Sequence, residues 1–425
     1  MSRSNRERVS LPYLARISVF WLGLSTVWAG LNVVYLPDRV EALVGPAHKG
    51  TYLGVLVSVG LMVAIVVQPV MGAVSDRTTA RWGRRKPYML LGSLLSALFL
   101  LLMAAVSTYA LLFAVVVLLQ LSSNSAHGPY QGIIPDLVPQ NQRGRASGFF
   151  GLANQLGVLL GALVAGQFLD RGQPGNYLFV AAGVLVMVAV ISTLTIREEP
   201  LAEKPEFSGV LSEFRTRLAE LRSRPGFTWI LLSRLFFFMG LLAADQILLF
   251  FVRERLGISE NAGLSVTMAL GVLIVVAGLV TVPAGWISDR IDRRSLVFAA
   301  CSVGLVASLI LLFTTNFATL LVGFAVLGGA VGMFTAADWA LAIDLIPDPR
   351  APGLYMGLTN LATAGGDALG SLSAGVVLDT FNGIQPLLGY TAVFIMMAGF
   401  FALSAGIILK VPNVFVAEQD AETDA

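Results

Sequence analysis

Charged side chains are scarce in this sequence. Only 13% of its 425 residues are Asp, Glu, Lys or Arg, against about 25% in an average soluble domain. Hydrophobic residues make up 56% of the chain. The shortage of charge excludes water as the solvent for most of the protein surface. We therefore expect an integral membrane protein whose outer surface contacts lipid.

Cysteine and histidine are also nearly absent. Cys301 is the single cysteine, which excludes an intrachain disulfide and favours a packing role. His48 and His127, the two histidines, do not have metal-ligand spacing. Because a nucleophile motif and a phosphate-binding glycine loop are missing too, the sequence argues against an enzyme and predicts no metal or organic cofactor. The net charge of +2 is too small to suggest a nucleic-acid partner.

Long apolar segments recur along the whole chain. About 20 apolar residues in an α-helix cross the hydrocarbon core of a bilayer, which is about 30 Å thick. Twelve segments have this length, so the sequence predicts an all-α membrane protein with twelve transmembrane helices. Numbered in chain order, the predicted helices cover residues 14–36, 50–75, 87–106, 109–134, 146–169, 177–196, 226–251, 261–287, 295–313, 317–343, 353–380 and 389–409.

Basic residues are distributed unevenly between alternate loops. Of the Lys and Arg side chains, 22 fall on the side that carries both termini, and five fall on the other side: Arg39, Lys49, Arg171, Arg253 and Arg255. Cytoplasmic loops carry an excess of Lys and Arg. We therefore expect a multi-pass protein of the cell membrane with both termini in the cytoplasm.

A single long polar segment interrupts the apolar array. Residues 197–225 separate six predicted helices from the other six, and their apolar residues recur at helical spacing among arginines. This pattern predicts an amphipathic helix at the membrane surface. The expected organisation is an N-terminal six-helix bundle at 1–196, the linker at 197–225, a C-terminal six-helix bundle at 226–410 and a cytoplasmic tail at 411–425.

Short motifs of the first half return in the second half at the equivalent helix. The pairs are Gly72-x-x-Ser-Asp76-Arg77 with Gly285-x-x-Ser-Asp289-Arg290, Asp136-x-x-Pro139 with Asp344-x-x-Pro347, and Gly151-Leu-x-Asn154 with Gly357-Leu-x-Asn360. The first pair is separated by 213 residues and the second by 208. Such repeats predict two pseudo-symmetric bundles with a polar pathway at their interface near the bilayer midplane.

The loop after predicted helix 2 carries a family signature. Its residues Gly72, Asp76, Arg77, Gly83, Arg84 and Arg85 resemble the cytoplasmic loop signature of the major facilitator superfamily. The longer form found here, Ser-Asp-Arg-x5-Gly-Arg-Arg-Lys-Pro, resembles the glycoside-pentoside-hexuronide:cation symporters and the sucrose/proton symporters. The segment Gly128-Pro-Tyr-x4-Pro-Asp136 is similar to those carriers as well. The resemblance implies the major facilitator fold and transport of a sugar with a coupling ion, either proton or sodium.

The resemblance also implies a gating role for the loop motifs. In the family, a carboxylate after helix 2 faces the positively polarised start of helix 11. We expect this of Asp76 and, by internal symmetry, we expect Asp289 to face the start of helix 5. Gly72 is expected to let helix 2 approach a neighbour closely. The alternative for the basic residues is that they only fix the topology. The predicted gating residues are Gly72, Asp76, Arg77, Arg84, Arg85, Asp136, Gly285, Asp289, Arg290 and Asp344.

Three carboxylates lie deep in the predicted helices of the second half. An Asp at a helix centre costs about 2.5 to 3.5 kcal/mol to insert, so it needs a partner, a cavity or a function. Asp367 is the first candidate for proton coupling, followed by Asp338 and Asp245. The alternative for each is a structural ion pair or hydrogen bond, for example with Arg234. His127 is a candidate proton relay, and its alternative is a neutral, hydrogen-bonded histidine.

Several polar side chains near membrane depth can bind a neutral solute through hydrogen bonds. Tryptophan can stack on the apolar face of a sugar ring. The alternatives are hydrogen bonds that join neighbouring helices and, for tryptophan, packing or lipid contact. The predicted substrate-binding residues are Trp28, Asn32, Asn154, Gln155, Trp339, Asn360 and Thr363.

Together these features predict a secondary active transporter that imports a sugar with protons by alternating access. One alternative is an exporter of drugs or metabolites in exchange for protons. The amides at depth and the lack of a Gly-Pro-rich pattern in helix 5 favour import. A membrane sensor without transport is a further alternative, against which Asp367 and the loop motifs argue. The expected partners are a small-molecule solute, a sugar by preference, and membrane lipid, and the expected state is a monomer.

Overall fold

Twelve long α-helices dominate the structure, a computed structural model that describes residues 9–139, 142–196, 198, 225–288, 290–346 and 352–412. All twelve are long and apolar enough to cross a membrane. The predicted all-α fold with twelve transmembrane helices is therefore confirmed. The predicted linker helix, the gating residue Asp289 and nearly all of the predicted tail lie outside the described residues.

The helices follow one another through short connections. In chain order they are α1 (Leu11–Val44), α2 (Lys49–Ser75), α3 (Lys86–Met103), α4 (Tyr109–Gln131), α5 (Arg143–Asp170), α6 (Asn176–Thr195), α7 (Pro225–Arg255), α8 (Ala262–Ser288), α9 (Arg293–Leu312), α10 (Phe317–Asp344), α11 (Pro352–Ile384) and α12 (Leu388–Ile408). A helix of five residues, Ile133–Leu137, follows α4.

Eleven of these helices begin and end within four residues of the predicted bounds. The exception is α1, which continues to Val44 although its predicted end is residue 36. Pro37 has no N–H to donate to the preceding turn. A π-helical turn at Leu31–Tyr35 precedes it, and such a turn changes the hydrogen-bond register, so that the helix continues past the proline. The helix ends where Gly45 adopts a φ of 79°.

The chain divides into two compact units. Unit 1 consists of Met1–Pro46, Val59–Glu206 and Glu260–Thr267, and unit 2 consists of Ala47–Ser58, Phe207–Ser259 and Met268–Ala425. The first turns of α2 therefore belong to unit 2, and the first turns of α8 belong to unit 1.

The same scheme of helix pairing is found in both units. In unit 1, α1 packs against α5 and α6, while α3 packs against α4 and α6. In unit 2, α7 packs against α11 and α12, while α9 packs against α10 and α12. Each pairing of the first unit thus has its counterpart six helices later.

Large apolar side chains cover much of the outside of both units. Leu194 is 80% exposed, Phe313 is 77% exposed and Leu279 is 71% exposed. A soluble monomer rarely exposes apolar patches of this extent, whereas lipid tails are suitable neighbours for them. Cys301, in contrast, is fully buried in α9, and its sulfur contacts the Ser404 hydroxyl at 3.2 Å.

Two aspartates at helix ends bind the starts of other helices. In unit 2, Asp379 of α11 accepts hydrogen bonds from the backbone N–H groups of Gly50 (3.0 Å) and Thr51 (2.6 Å) at the start of α2. In unit 1, Asp170 of α5 accepts them from Gly263 (2.8 Å) and Leu264 (3.0 Å) at the start of α8. Because the first N–H groups of a helix have no partner within it, these carboxylates satisfy donors that would otherwise be unpaired.

An ion pair accompanies the start of α2 in unit 2. The ammonium group of Lys49, 1% exposed, is paired with Glu254 of α7 and lies 4.4 Å from the centroid of the Phe250 ring. Glu254 also accepts a hydrogen bond of 2.6 Å from the Tyr390 hydroxyl. The charge of Lys49 is therefore compensated where it is buried.

Candidate functional site

Arg234 of α7 is the centre of a buried charged cluster in unit 2. Its guanidinium forms an ion pair with Asp338 of α10, and the two side chains are 10% and 3% exposed. Its Nε donates a hydrogen bond of 2.7 Å to the Thr363 hydroxyl of α11, which in turn donates to the Thr359 carbonyl at 3.1 Å. One guanidinium thus joins three helices.

Asp367 follows Thr363 by one helical turn. Its Oδ1 is buried and has no hydrogen-bond partner among the described residues. Both Arg234 and Asp245 of α7 lie within electrostatic range of this carboxylate. The three carboxylates that the sequence proposes for coupling therefore belong to one cluster, which contains a single basic side chain.

The charges of this cluster do not balance. Arg234 is the one basic residue of helices α7 to α12 that lies away from a helix end. With Asp245, Asp338 and Asp367 all ionised, three negative charges would face one positive charge. Buried charges without partners are costly, so full ionisation of all three carboxylates is unfavourable in this cluster.

Aromatic rings lie beside the guanidinium of Arg234. Its Cζ is 5.5 Å from the ring centroid of Phe238 and 5.8 Å from that of Trp339, distances at which the ring faces attract a cation. Of the predicted substrate residues, Trp339 and Thr363 therefore belong to the charged cluster. The pairing of Asp338 with Arg234 is the ion pair that the sequence offers as the alternative to coupling.

A second, uncharged cluster lies in unit 1 around His127 of α4. Gln68 Nε2, from α2, lies 3.2 Å from His127 Nδ1 and donates to the Asn124 amide oxygen at 2.7 Å. Gln131 Nε2 lies 3.2 Å from His127 Nε2 and donates to the Gln68 amide oxygen at 3.1 Å. His127 is thus in contact with amides on both sides of its ring.

Two of the predicted substrate residues in unit 1 join neighbouring helices. The Trp28 indole N–H donates to the Ser123 hydroxyl at 3.0 Å, and the Asn154 amide oxygen accepts from the Ser25 hydroxyl at 2.6 Å. These contacts are the helix-joining alternative that the sequence leaves open. The other predicted substrate residues are placed at different exposures: Asn32 and Gln155 are half-buried, and Asn360 is exposed.

Arg85 organises the loop motif of unit 1. Its Nη2 donates to Asp76 at 2.9 Å, its Nε donates to Asp136 at 2.7 Å, and its Nη1 donates to the Pro129 carbonyl at 2.7 Å. Arg84 forms a further ion pair with Asp136. The residues of the sequence motif thus form a network, in which the buried guanidinium of Arg85 connects two carboxylates and the end of α4.

The equivalent region of unit 2 is less connected among the described residues. Asp344 is paired with Arg293, and Asp292 accepts a hydrogen bond of 3.1 Å from the backbone N–H of Arg294. Arg290, expected as a gating residue, is exposed. Within the described part of this region, which leaves out Asp289, the repeated motif forms fewer ion pairs than its counterpart in unit 1.

Within unit 1, the tight contact between α2 and α4 lies at a residue other than Gly72. A Cβ at Gly72 would meet the Gly128 carbonyl oxygen at 3.7 Å, which is an ordinary contact. A Cβ at Gly128 would instead overlap the backbone of Gln68. The close approach of α2 and α4 therefore depends on the glycine of α4, because the tight contact falls one turn earlier in α2 than the motif suggests.

Sequence reasoning misses three residues of these networks. Gln68 is the single amide in α2, and a polar side chain in an apolar helix is a usable signal. Trp21 packs 4.5 Å from the His127 ring, measured between centroids. Glu198 accepts hydrogen bonds from the backbone N–H groups of Arg85 (3.0 Å) and Lys86 (3.4 Å), and no sequence pattern indicates this contact.

Comparison with known proteins agrees with the fold and the loop motif. A protein-family model described as MFS/sugar transport protein matches residues 33–416. A general alpha-glucoside permease of Schizosaccharomyces pombe is 26% identical over 234 residues, and the match covers 49% of this chain and 42% of the permease. The chain thus spans about two fifths of the length of that relative.

A relative with a different name matches a longer part of the chain. The multidrug resistance protein MdtG of Enterobacter lignolyticus is 27% identical over 311 residues, which is 71% of this chain and 70% of that protein. Among solved structures, a mutant of the nucleoside transporter NupG superimposes with a TM-score of 0.75 at 14% identity, over 94% of this chain and 99% of the other. At this identity the likeness shows a shared fold.

Proposed function

This chain belongs to the MFS/sugar transport protein family, and we propose that it is a secondary active transporter that imports a sugar together with protons. Its family and fold are those of membrane transporters, which are not enzymes. The sugar, the proton and the inward direction are our proposal.

The observation that carries the proposal is the buried Oδ1 of Asp367, which lacks a described hydrogen-bond partner beside Arg234. Arg234 already donates to Asp338 and to Thr363. An ionised oxygen without a donor is costly away from water. A bound proton removes the charge of Asp367 and leaves Arg234 with Asp338 as its close charged partner.

Binding and release of this proton by Asp367 can be coupled to alternating access. When the cluster is open to the acidic side of the membrane, Asp367 binds a proton, and when it is open to the other side, the proton leaves. Substrate binding that favours the protonated cluster links sugar movement to proton movement, because each ligand shifts the same conformational equilibrium.

Two observations support a sugar as the solute. One relative is a general alpha-glucoside permease, similar over 49% of this chain. The uncharged amides of unit 1 provide donors and acceptors for hydroxyl groups at membrane depth. A hydroxylated, neutral solute fits these groups better than a purely apolar one does.

The test is transport by the purified protein in proteoliposomes. With maltose inside and outside at equal concentration, an inward proton gradient should drive accumulation, and a protonophore should abolish it. Accumulation driven by a sodium gradient at equal pH would show that the coupling ion is sodium and not the proton. Flux that never responds to either gradient would contradict coupling, and no flux of any solute would favour the non-transporting sensor.

The role of Asp367 is tested by Asp367→Asn. This variant cannot exchange a proton at the site, so it should exchange labelled maltose across the membrane without accumulating it. Glu260→Gln, a change of an exposed carboxylate in the loop before α8, is the matched control and should accumulate maltose like the unchanged protein. Accumulation by Asp367→Asn at the control level would show that another group couples transport.

The second candidate function is a proton-coupled drug exporter. The similarity to MdtG over 71% of the chain favours it. Inside-out vesicles separate the two, because an exporter accumulates ethidium in them when their interior is acidic, whereas a sugar importer does not. Ethidium accumulation combined with absent maltose transport would support the exporter.

A further inference from the structure

The amide orientations in the uncharged cluster of unit 1 fix one another. Asn124 Nδ2 donates to the backbone carbonyl of Gln120 at 2.8 Å, and a carbonyl can only accept. The Asn124 oxygen therefore faces Gln68 Nε2 at 2.7 Å. This leaves the Gln68 oxygen to accept from Gln131 Nε2 at 3.1 Å. Both glutamines thus turn their N–H groups toward the His127 ring.

His127 cannot accept from both glutamines. Gln68 Nε2 lies 3.2 Å from its Nδ1, and Gln131 Nε2 lies 3.2 Å from its Nε2. A neutral imidazole has one N–H and one lone pair. One of the two contacts therefore places a donor against a donor, and the cluster has one N–H group more than it has acceptors.

An oxygen atom supplied by a ligand removes this mismatch. Gln131 is exposed, so its side chain is free to move aside for a ligand at the ring nitrogen. A hydroxyl oxygen can accept from His127 and from Gln131 at once, and its own proton can be donated to the Gln131 oxygen. A hydroxyl group fits this combination of donors and acceptors.

Trp21 adds a flat apolar wall beside these groups. Its ring centroid is 4.5 Å from that of His127 and 6.0 Å from that of Tyr130. Tyr130 is held by a hydrogen bond of 2.7 Å from its hydroxyl to the Ile17 carbonyl. A sugar ring has apolar faces and hydroxylated edges, so it can contact an aromatic wall and neighbouring amides together.

The two helices that carry Gln68, His127 and Gln131 contain almost no charge. α4 contains no charged residue, and α2 contains one, Lys49 at its first position. A ligand with a net charge would have no opposite charge from these two helices. These two helices therefore favour a neutral ligand.

We propose that Trp21, Gln68, His127 and Gln131 form a subsite that binds the hydroxyl groups of a neutral sugar ring. The inference rests on the proposed function and deepens it, because it names where and by which chemistry the sugar is recognised. It also assigns His127 to sugar binding instead of the proton relay that the sequence suggests.

The experiment measures binding of maltose, sucrose and methyl α-glucoside to the purified full chain by isothermal titration. Gln68→Ala and Gln131→Ala should each weaken the affinity for the bound sugar by about tenfold or more. Gln131→Ala removes hydrogen bonds to the sugar, and Gln68→Ala removes the amide that contacts both Gln131 and His127 and holds them in place. Gln167→Ala, which removes an exposed amide on α5, is the matched control and should bind like the unchanged protein.

A second variant separates binding from structure. Gln131→Glu gives the His127 ring an acceptor but removes the N–H that Gln131 donates to the Gln68 oxygen. Because these two changes oppose each other, the melting temperature should change little. The affinity for the sugar should still fall about tenfold or more, because the ligand hydroxyl now competes with a carboxylate.

Three results would overturn the inference in different ways. Unchanged affinity in Gln68→Ala and Gln131→Ala would remove the subsite and leave sugar transport standing. A melting temperature that falls in parallel with affinity in all three variants would assign these amides to structure alone. An unchanged protein that binds none of the three sugars would contradict both the subsite and the proposed sugar transport.

Discussion

Asp170 and Asp379 occupy equivalent positions 209 residues apart, and each accepts hydrogen bonds from two backbone N–H groups at the start of another helix. Each follows a glycine by four residues, Gly166 in the first case and Gly375 in the second, at which the helix backbones approach closely. The start of a helix carries a partial positive charge. These carboxylates therefore cap α8 and α2 from outside those helices.

Replacing Asp379 by Asn should lower thermal stability. Asn keeps the size of the side chain, but its NH2 group cannot accept from Gly50 or Thr51. We expect a loss of about 1 to 3 kcal/mol, measured as a lower melting temperature of the detergent-purified protein. Thr380→Ala, at the next and exposed position of α11, should melt like the unchanged protein. Equal melting of both variants would contradict the capping role.

Gly375→Ala should be far more harmful than Gly383→Ala, although both are on α11. A Cβ at Gly375 would overlap the Gly50 backbone, which cannot move like a flexible side chain, whereas a Cβ at Gly383 meets no described atom within 4 Å. Overpacking costs about 1 to 3 kcal/mol, while alanine in an open helical position gains up to about 1 kcal/mol over glycine. Yield of monodisperse protein and melting temperature measure the difference, and similar values for the two variants would refute it.

Arg234→Met should destabilise the protein by about 3 to 5 kcal/mol, because it leaves the Asp338 carboxylate buried without its ion-pair partner. Adding Asp338→Asn to this variant should restore part of the loss, since no buried charge then remains at that position. Melting temperatures of the two single variants and the double variant form a double-mutant cycle. Losses that simply add would mean that the pair contributes no coupling energy.

Arg85→Ala should cost more stability than Arg84→Ala. The Arg85 side chain is 6% exposed and that of Arg84 is 23% exposed, and only Arg85 also satisfies the Pro129 carbonyl. Its loss leaves the buried Pro129 carbonyl without this donor, at about 1 to 3 kcal/mol, and removes the bonds of Arg85 to Asp76 and Asp136. Arg85→Lys should not restore stability, because an ammonium group lacks the planar set of donors. Comparable melting of the two alanine variants would contradict this ranking.

Apolar length alone predicts most of the fold. The bilayer imposes a fixed span on each helix, so the twelve segments and most of their ends follow from where apolar residues stop. The end of α1 does not follow, because the π-helical turn at Leu31–Tyr35 that carries the helix past Pro37 depends on backbone geometry that composition does not record.

The candidate site is predictable in part. Asp245, Asp338 and Asp367 are conspicuous as carboxylates in apolar helices, and the interaction of Asp338 with Arg234 follows as one of the few ways to compensate such a charge. The contact of Gln68 with His127 joins residues 59 positions apart, and it depends on how closely α2 and α4 approach at Gly128. The spacing of residues along either helix does not predict how closely the two helices approach each other.

The repeat around Asp170 and Asp379 could have been found in the sequence. Both follow the pattern Gly-x-x-Leu-Asp at the end of a helix. The pattern is short, however, and small residues followed by Leu are common in membrane helices. The structure shows that the two matches are not a coincidence, because both aspartates accept hydrogen bonds at the start of another helix. The sequence cannot show this, since the donors are backbone N–H groups, which every residue except proline has.

The burial of Cys301 makes the natural chain a convenient background for thiol chemistry. The only sulfhydryl group of the sequence is fully enclosed in α9, so a maleimide reagent added to the folded protein meets no native thiol at the surface. Pairs of cysteines introduced at exposed positions can carry spin labels or fluorophores without prior removal of the natural residue. Distance measurements on such pairs can then follow the working cycle in a protein that is otherwise unaltered.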